Sequence, residues 1–495
     1  MSIRTSLPWL LCFGVAVSLA FLWFGSVPLF GDEIGYGYST ASWIARNSLA
    51  LVPAGSGRGE MGMGHPALLP WLWALFMRVF GDTLPTARIL PTIAAGFGLL
   101  GTWRLGRELS GSDRVGIMAA LGLLASPLFL AQAFRALPDT AHMAAAAWAI
   151  VFYIRGRRLQ ASLLIALATI FRPPGIILGA AFLLTDVIRY RRLAWADLLW
   201  LSPLVVILVN GLMHLSVNGF FIFPNYLGES SPDLPVNWLA GRVRLFAGHL
   251  IGEDFRWFPV SAALAFSFYR AGRKPGIAFM AALALPALLH PPTRLAVTAG
   301  FILLFGLLLL VRKRPPSAPV TAQLLFVGMM VAFHILVVLV APDPCLNLFR
   351  YILVTYPPLL VLLANALQKA GKTVSAFIWI LFCLASASCI LTVRHPWQPD
   401  ATLAGPLEAR AVRAAAASVE NPFHPDARIG SIPALGYVSE PQGNERSHVI
   451  NLVLTTADRH NSQALLPEGY VFTGNESYRW VLGGLSVTAH EARLK

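Results

Sequence analysis

Apolar stretches of roughly 17–25 residues, each long enough to cross a hydrocarbon core, recur along most of this chain and alternate with short polar loops. The first, Leu7 to Phe24, follows Arg4 and lacks a small-residue cleavage site, so it reads as a retained span. Later stretches run over about Ala87 to Leu105, Val115 to Ala133, Leu198 to Val217 and Val374 to Val393. The whole set predicts about thirteen crossings. One apolar piece is different: Trp71 to Phe76 is short and rich in tryptophan, and predicts a helix lying in the membrane interface.

The loops are of two kinds. One kind carries clustered Arg and Lys, as at Arg104 and Arg107, at Arg155, Arg157 and Arg158, and at Arg312-Lys313-Arg314. The other holds most of the Asp and Glu of the membrane region. Basic loops stay on the cytoplasmic side. This threading puts the N-terminus inside, the first outer loop at 27–85 and an outer turn at Arg135 to Asp139. After Arg394 the chain becomes polar. A helix over Leu403 to Ser418 and strand-like runs at Ile429 to Ile432, His448 to Thr455, Tyr470 to Thr473 and Val481 to Thr488 predict a small α/β domain on the outer side. The division is therefore 1–394, in the membrane, and 395–495, outside it.

Composition supports the membrane reading. Of 495 residues 56% are hydrophobic and 13% charged, against about 25% charged in soluble domains. The formal net charge of +14 belongs to topology-setting loops and gives no reason to expect a nucleic-acid partner. Cys12, Cys345, Cys383 and Cys389 form neither a disulfide framework nor a zinc spacing.

Candidate chemistry sits on the outer side. Asp32-Glu33, with Tyr36, Ala41, Ala45 and Arg46, forms an acidic pair opening a helix just beyond the first span. Gly64-His65-Pro66-Ala67-Leu68-Leu69-Pro70-Trp71 leads to Phe80-Gly81 and Ala87-Arg88-Ile89-Leu90-Pro91. Arg135 to Asp139 follows, then Phe349-Arg350-Tyr351 with Tyr356-Pro357. In order, spacing and expected side, these four segments resemble the GT-C superfamily of polyprenyl-phosphate-sugar glycosyltransferases. The bacterial branch related to protein O-mannosyltransferases and lipid A aminoarabinose transferases is the nearest in pattern. Two departures stand out. His65-Pro66-Ala67 replaces a frequent Lys-Pro-Pro, and Arg172-Pro173-Pro174 replaces a frequent Lys-Gly-Pro. Arg172 keeps the charge; His65 keeps it only when protonated.

The resemblance implies a GT-C fold: a polytopic helical scaffold, interfacial helices in the first outer loop and an active site at the outer face of a bacterial inner membrane. It implies a polyprenyl-phosphate-sugar donor and a glycan, lipid or protein acceptor. The acceptor hydroxyl loses a proton as it attacks, so a carboxylate within reach serves as base. Asp32 is the first choice, with Glu33 beside it. Direct displacement inverts the anomeric centre. The departing phosphate needs positive charge, which Arg350, Arg172, Arg135 and Arg88 offer, with His65 and Tyr351 beside them. Tyr36 and Asp139 are candidates for contact with acceptor or sugar. No cofactor is required; a divalent metal on Glu60 and His65 is one possibility.

Plainer readings stay open at this stage. Asp32-Glu33 can cap the following helix, Arg135 can pair with Asp139 across their turn, and Arg88 and Arg350 can snorkel to headgroups. Two other functions compete, a flippase for lipid-linked sugars and a non-catalytic envelope assembly protein. A transporter calls for ionisable groups near the midplane, and the span interiors hold almost none.

Overall fold

The computed structural model describes residues 33–47, 68–221, 317–340, 349–368, 404–419, 422–423, 449–455, 469–482 and 485–494, with a few isolated positions besides. The expected first span, those between 222 and 316, most of the thirteenth, and the strand at Ile429 to Ile432 lie outside these residues.

A π-helical turn, Glu33–Tyr38, leads into helix α1, Ser39–Arg46. Helix α2, Leu68–Phe80, packs against α1 and spans 13 residues. That is roughly 20 Å at 1.5 Å per residue, too short to cross a hydrocarbon core. Its Trp73 and Ala74 are buried with Leu29, Tyr38, Ile44 and Ala136. The tryptophan placed at headgroup level by its sequence thus supports the outer-loop layer from within.

Helix α3, Leu84–Ser110, is longer than the apolar pattern suggests. Thr83 is extended, its hydroxyl accepts from Thr86 N at 3.4 Å, and proline occupies the first turn, a complete start signal. Gly111 closes the helix in the left-handed region. The stretch Val115 to Ala133, expected as one span, is two helices. These are α4, Asp113–Leu124, and α5, Pro127–Ala133, bent by 72°. Ser126 caps the second piece through Phe129 N, and Pro127 opens it; a proline donates no amide and disfavours helix at the residue before it.

Helices α6, Asp139–Ile154, α7, Arg158–Phe171, α8, Ile176–Tyr190, and α9, Ser202–Asn218, follow. Helix α10, Ala318–Val340, a 3₁₀ turn, Phe349–Thr355, and α11, Tyr356–Gln368, complete the described helices of this region. α3 packs on α4 and α6, α6 on α7, α4 on α11, and α8 on α10. One apolar core, including Leu99, Phe129, Ile150, Ile165, Phe182, Phe326 and Val361, joins them. Among the described residues, two helices are long and apolar enough to cross a membrane, Leu84–Ser110 and Trp195–Asn218, or three if the bent α4–α5 pair counts as one.

Helix α12, Ala404–Ser418, precedes a sheet of β1, Pro422–Phe423, β2, Val449–Thr455, β3, Tyr470–Leu482, and β4, Leu485–Leu494, in the order β1-β2-β4-β3. β1 and β2 are parallel; the other pairs are antiparallel. Alternation along β2 puts Val453 against Ala411 and Ala415 of α12, and Ile450, Leu452 and Leu454 on the opposite face. The run Val481 to Thr488, expected as one strand, is divided. β3 ends at Leu482, β4 starts at Leu485, and those two residues pair.

Candidate active site

Two carboxylates, each sealed among arginines, organise the described part of the site. Glu33 has 0% exposure. Its Oε1 accepts from Arg88 Nη1 and from Ala136 N at 2.7 Å, while Arg88 Nη2 lies 3.4 Å from Oε2 and Arg135 Nε 3.9 Å from Oε2. Arg88 also donates to Phe134 O at 2.8 Å and to Val27 O at 3.0 Å. One guanidinium therefore ties together the exit of the first stretch, the acidic turn and the end of α5. A buried charge is tolerated only when paired and hydrogen-bonded, and Glu33 meets both conditions.

The turn holding Glu33 is pressed closely onto this frame. A Cβ on Gly37 would stand 2.9 Å from Ala136 O and 2.9 Å from the Trp73 ring. Tyr38 meets Trp73 edge-on at 5.9 Å and donates to Asp82 Oδ2 at 2.8 Å. Burial, reinforced by that carboxylate, holds the Tyr38 hydroxyl well above the usual phenol range.

The second carboxylate is Asp139, the first residue of α6. A helix start favours negative charge. Its Oδ2 lies 2.8 Å from Arg172 Nη2 and 3.9 Å from Arg350 Nε. Arg172 also stands over the Tyr351 ring at 4.0 Å, and Arg350 is 5.8 Å from the same ring. The local sequence explains Arg172. Pro173 excludes helical backbone from the residue before it, so Arg172 is extended, at φ −149 and ψ 130, where α7 stops. Its side chain leaves the helix axis toward α6 and the 3₁₀ turn that carries Arg350 and Tyr351.

The two clusters adjoin. Arg135 and Asp139 bracket one short turn, across which the chain spans at most roughly 14 Å, and Ala136 in that turn donates to Glu33. The α6 start, the α7 end and the residues before α11 thus converge. At the other end of the same helices lie Arg155 with Glu108, and Arg158 with Asp186 and Asp197.

The sequence groups Arg88, Arg135, Arg172 and Arg350 as equivalents. The structure divides them, Arg88 and Arg135 to Glu33 and Arg172 and Arg350 to Asp139, because each buried carboxylate needs its own partners. Arg135 reaches Glu33 rather than Asp139, so pairing across the turn is not what the structure shows. Arg88 is 1% exposed and Arg350 7%, and both point into protein rather than snorkelling. Asp32, Glu60 and His65 lie outside the described residues, as does the Tyr36 side chain. Among the described residues no group of three His, Cys, Asp or Glu side chains is arranged for a metal. Sequence reading overlooked Tyr38 and Asp82, and read Trp73 only as part of an interfacial helix; the aromatic content of the segment is the one advance signal, and it says nothing of Asp82.

Buried carboxylate–arginine clusters thus lie at one end of an apolar helical bundle of the kind a membrane protein has. Residues 64–216 match the family model described as dolichyl-phosphate-mannose-protein mannosyltransferase. The matched segment contains Arg88, Arg135, Asp139 and Arg172. This match, over less than a third of the chain, supports the resemblance to the protein mannosyltransferases. No curated protein matches the chain by sequence. Among solved structures, the chain is similar to ArnT from Cupriavidus metallidurans bound to undecaprenyl phosphate, at 15% identity over 97% of this chain and 98% of that one, with a TM-score of 0.43. It is also similar to the Archaeoglobus fulgidus oligosaccharyltransferase in the apo form, at 14% identity over 88% of this chain and 61% of that one, with a TM-score of 0.44. At such TM-scores neither likeness decides the fold.

Proposed function

We propose that this chain transfers a sugar from a polyprenyl-phosphate donor to an acceptor hydroxyl, with inversion, at the outer face of a bacterial inner membrane. One observation carries the reading: the Arg172–Asp139–Arg350 cluster over Tyr351, joined by a single turn to the buried Glu33 whose chain neighbour is Asp32.

Asp32 takes the proton of the attacking hydroxyl. The new bond forms from that oxygen to the anomeric carbon as the bond from that carbon to the phosphate oxygen breaks, and polyprenyl phosphate departs. Arg172 and Arg350 receive the phosphate charge. Asp139 and Tyr351 keep both guanidiniums oriented before the donor arrives, so little reorganisation is needed during the reaction. Arg88 and Arg135 act through Glu33, fixing the turn that carries the base, and Glu33 positions rather than abstracts. Tyr36 faces acceptor or sugar, and residues 395–495 form the outer domain beside a bundle of about thirteen spans.

The test is turnover by the purified full chain, supplied with polyprenyl-phosphate hexoses and pentoses, together with mass spectrometry of envelope lipids and glycans from Asp32→Asn cells. Loss of one sugar modification in those cells supports the proposal. Undiminished transfer by the Asp32→Asn protein rejects it.

A further inference from the structure

We infer that His142 is a positioning residue for Arg172, and thereby sets how tightly the site takes a lipid phosphate. The inference rests on the donor reading above.

His142 follows Asp139 by three positions on α6, so the two side chains share one helix face. Asp139 grips the Arg172 side chain; His142 grips its backbone support. The imidazole Nδ1 lies 2.9 Å from Ala168 O, and the same oxygen accepts the Arg172 amide at 2.9 Å. The Arg172 amide is the ordinary helical donor, four residues on, and the carbonyl oxygen has a second lone pair with which to accept the imidazole N–H. Here two donors converge on it, one from the residue that leaves the helix and one from the neighbouring helix. With a carbonyl as partner, Nδ1 carries the proton.

The far side of Arg172 is equally constrained. Gly175 N donates to Arg172 O at 3.0 Å. A Cβ on Gly175 would stand 2.6 Å from Thr169 N, so the chain folds back directly onto α7. Arg172 is thus held at its amide, its carbonyl and its guanidinium. Among the described residues, the His142 bond is the side-chain link from the launching point of Arg172 to the helix that bears Asp139. His142 is 3% exposed, which leaves it no role in contacting solvent. Removing the bond frees the α7 terminus to shift against α6, and the guanidinium moves with it.

The experiment measures binding of undecaprenyl phosphate, and of neutral undecaprenol, to the full chain in nanodiscs. Wild type is expected to prefer the phosphate. His142→Gln, which carries its amide beyond the Nδ1 position, is expected to lose about tenfold in phosphate affinity, the worth of one hydrogen bond, with undecaprenol binding unchanged. His142→Asn keeps an N–H near Nδ1 and is expected to stay within about threefold of wild type. In an Arg172→Ala background His142→Gln is expected to cost nothing further, since coupled residues are not additive. A His142→Gln protein with wild-type phosphate affinity, an equal loss for both lipids, or a full further loss without Arg172 overturns the inference. Wild type that does not distinguish the phosphate from the alcohol overturns the donor reading instead.

Discussion

Arg88 donates to Glu33 across 55 positions of chain, with both side chains withdrawn from solvent. The pair joins the turn Glu33–Tyr38 to the long helix α3, and Arg88 extends the bond to Phe134 O and Val27 O. The turn that carries Glu33 is therefore tied to the bundle by charge as well as by apolar contact.

Breaking one side of this pair leaves a charge buried without its main partner. Arg88→Ala is expected to destabilise the protein by about 3–5 kcal/mol, read as a lowered midpoint in thermal unfolding of the detergent-purified chain. Arg88→Met combined with Glu33→Gln is expected to cost less than Arg88→Ala alone, because the Glu33 carboxylate is then no longer a buried charge missing its main partner. A double variant less stable than the single one contradicts the buried-pair account.

Asp32→Asn is expected to abolish sugar transfer while expression and undecaprenyl phosphate binding stay near wild type. The substitution removes a proton acceptor and little volume. Equal losses of binding and turnover would assign Asp32 to donor recognition rather than to base chemistry.

Arg172→Lys is expected to behave much more like Arg172→Ala than like wild type in lipid-phosphate affinity. Lysine keeps the charge but loses the planar fork that meets Asp139 at 2.8 Å while lying over the Tyr351 ring at 4.0 Å. Arg350→Ala is expected to weaken the same affinity. Full retention in either variant removes that arginine from the phosphate site.

Gly37→Val is expected to reduce turnover more than stability. Its side chain must displace Ala136 O or Trp73, both 2.9 Å from the first added carbon, and thus tilts the turn next to Asp32. Unfolding midpoint and turnover measured on one preparation separate the two effects.

Asp186→Asn is expected to act in the opposite way. Asp186 accepts from Tyr153 at 2.8 Å and from Trp200 at 3.0 Å, and Arg158 stands 3.4 Å away. This network lies at the helix ends remote from Asp139. The variant should lower the unfolding midpoint and leave lipid-phosphate affinity unchanged, which a binding isotherm checks.

The end of α7 at Arg172-Pro173 was legible, since a proline acts on the residue before it. Thr83, Pro85 and Gly111 carry equally local signals for the ends of α3, but the apolar pattern, read as Ala87 to Leu105, passed over them. The β-like run His448 to Thr455 likewise announced a strand, Val449–Thr455. The break at Pro127 was equally local, yet hydrophobicity masked it, since both flanks are apolar and the span length looked complete.

What the chain determined by itself is the apolar scaffold, the asymmetry of its charged loops and the set of acids and arginines available near the helix ends, because apolar and charged segments are fixed by composition along short windows. Which arginine serves which carboxylate was decided only by tertiary structure. Glu33 finds Arg88 and the Ala136 amide, Asp139 finds Arg172, and His142 finds Ala168 across separations that no spacing rule encodes. The physical reason is desolvation: once the helices associate, each ionic group must be paired where it lies, and the geometry of association selects the partner.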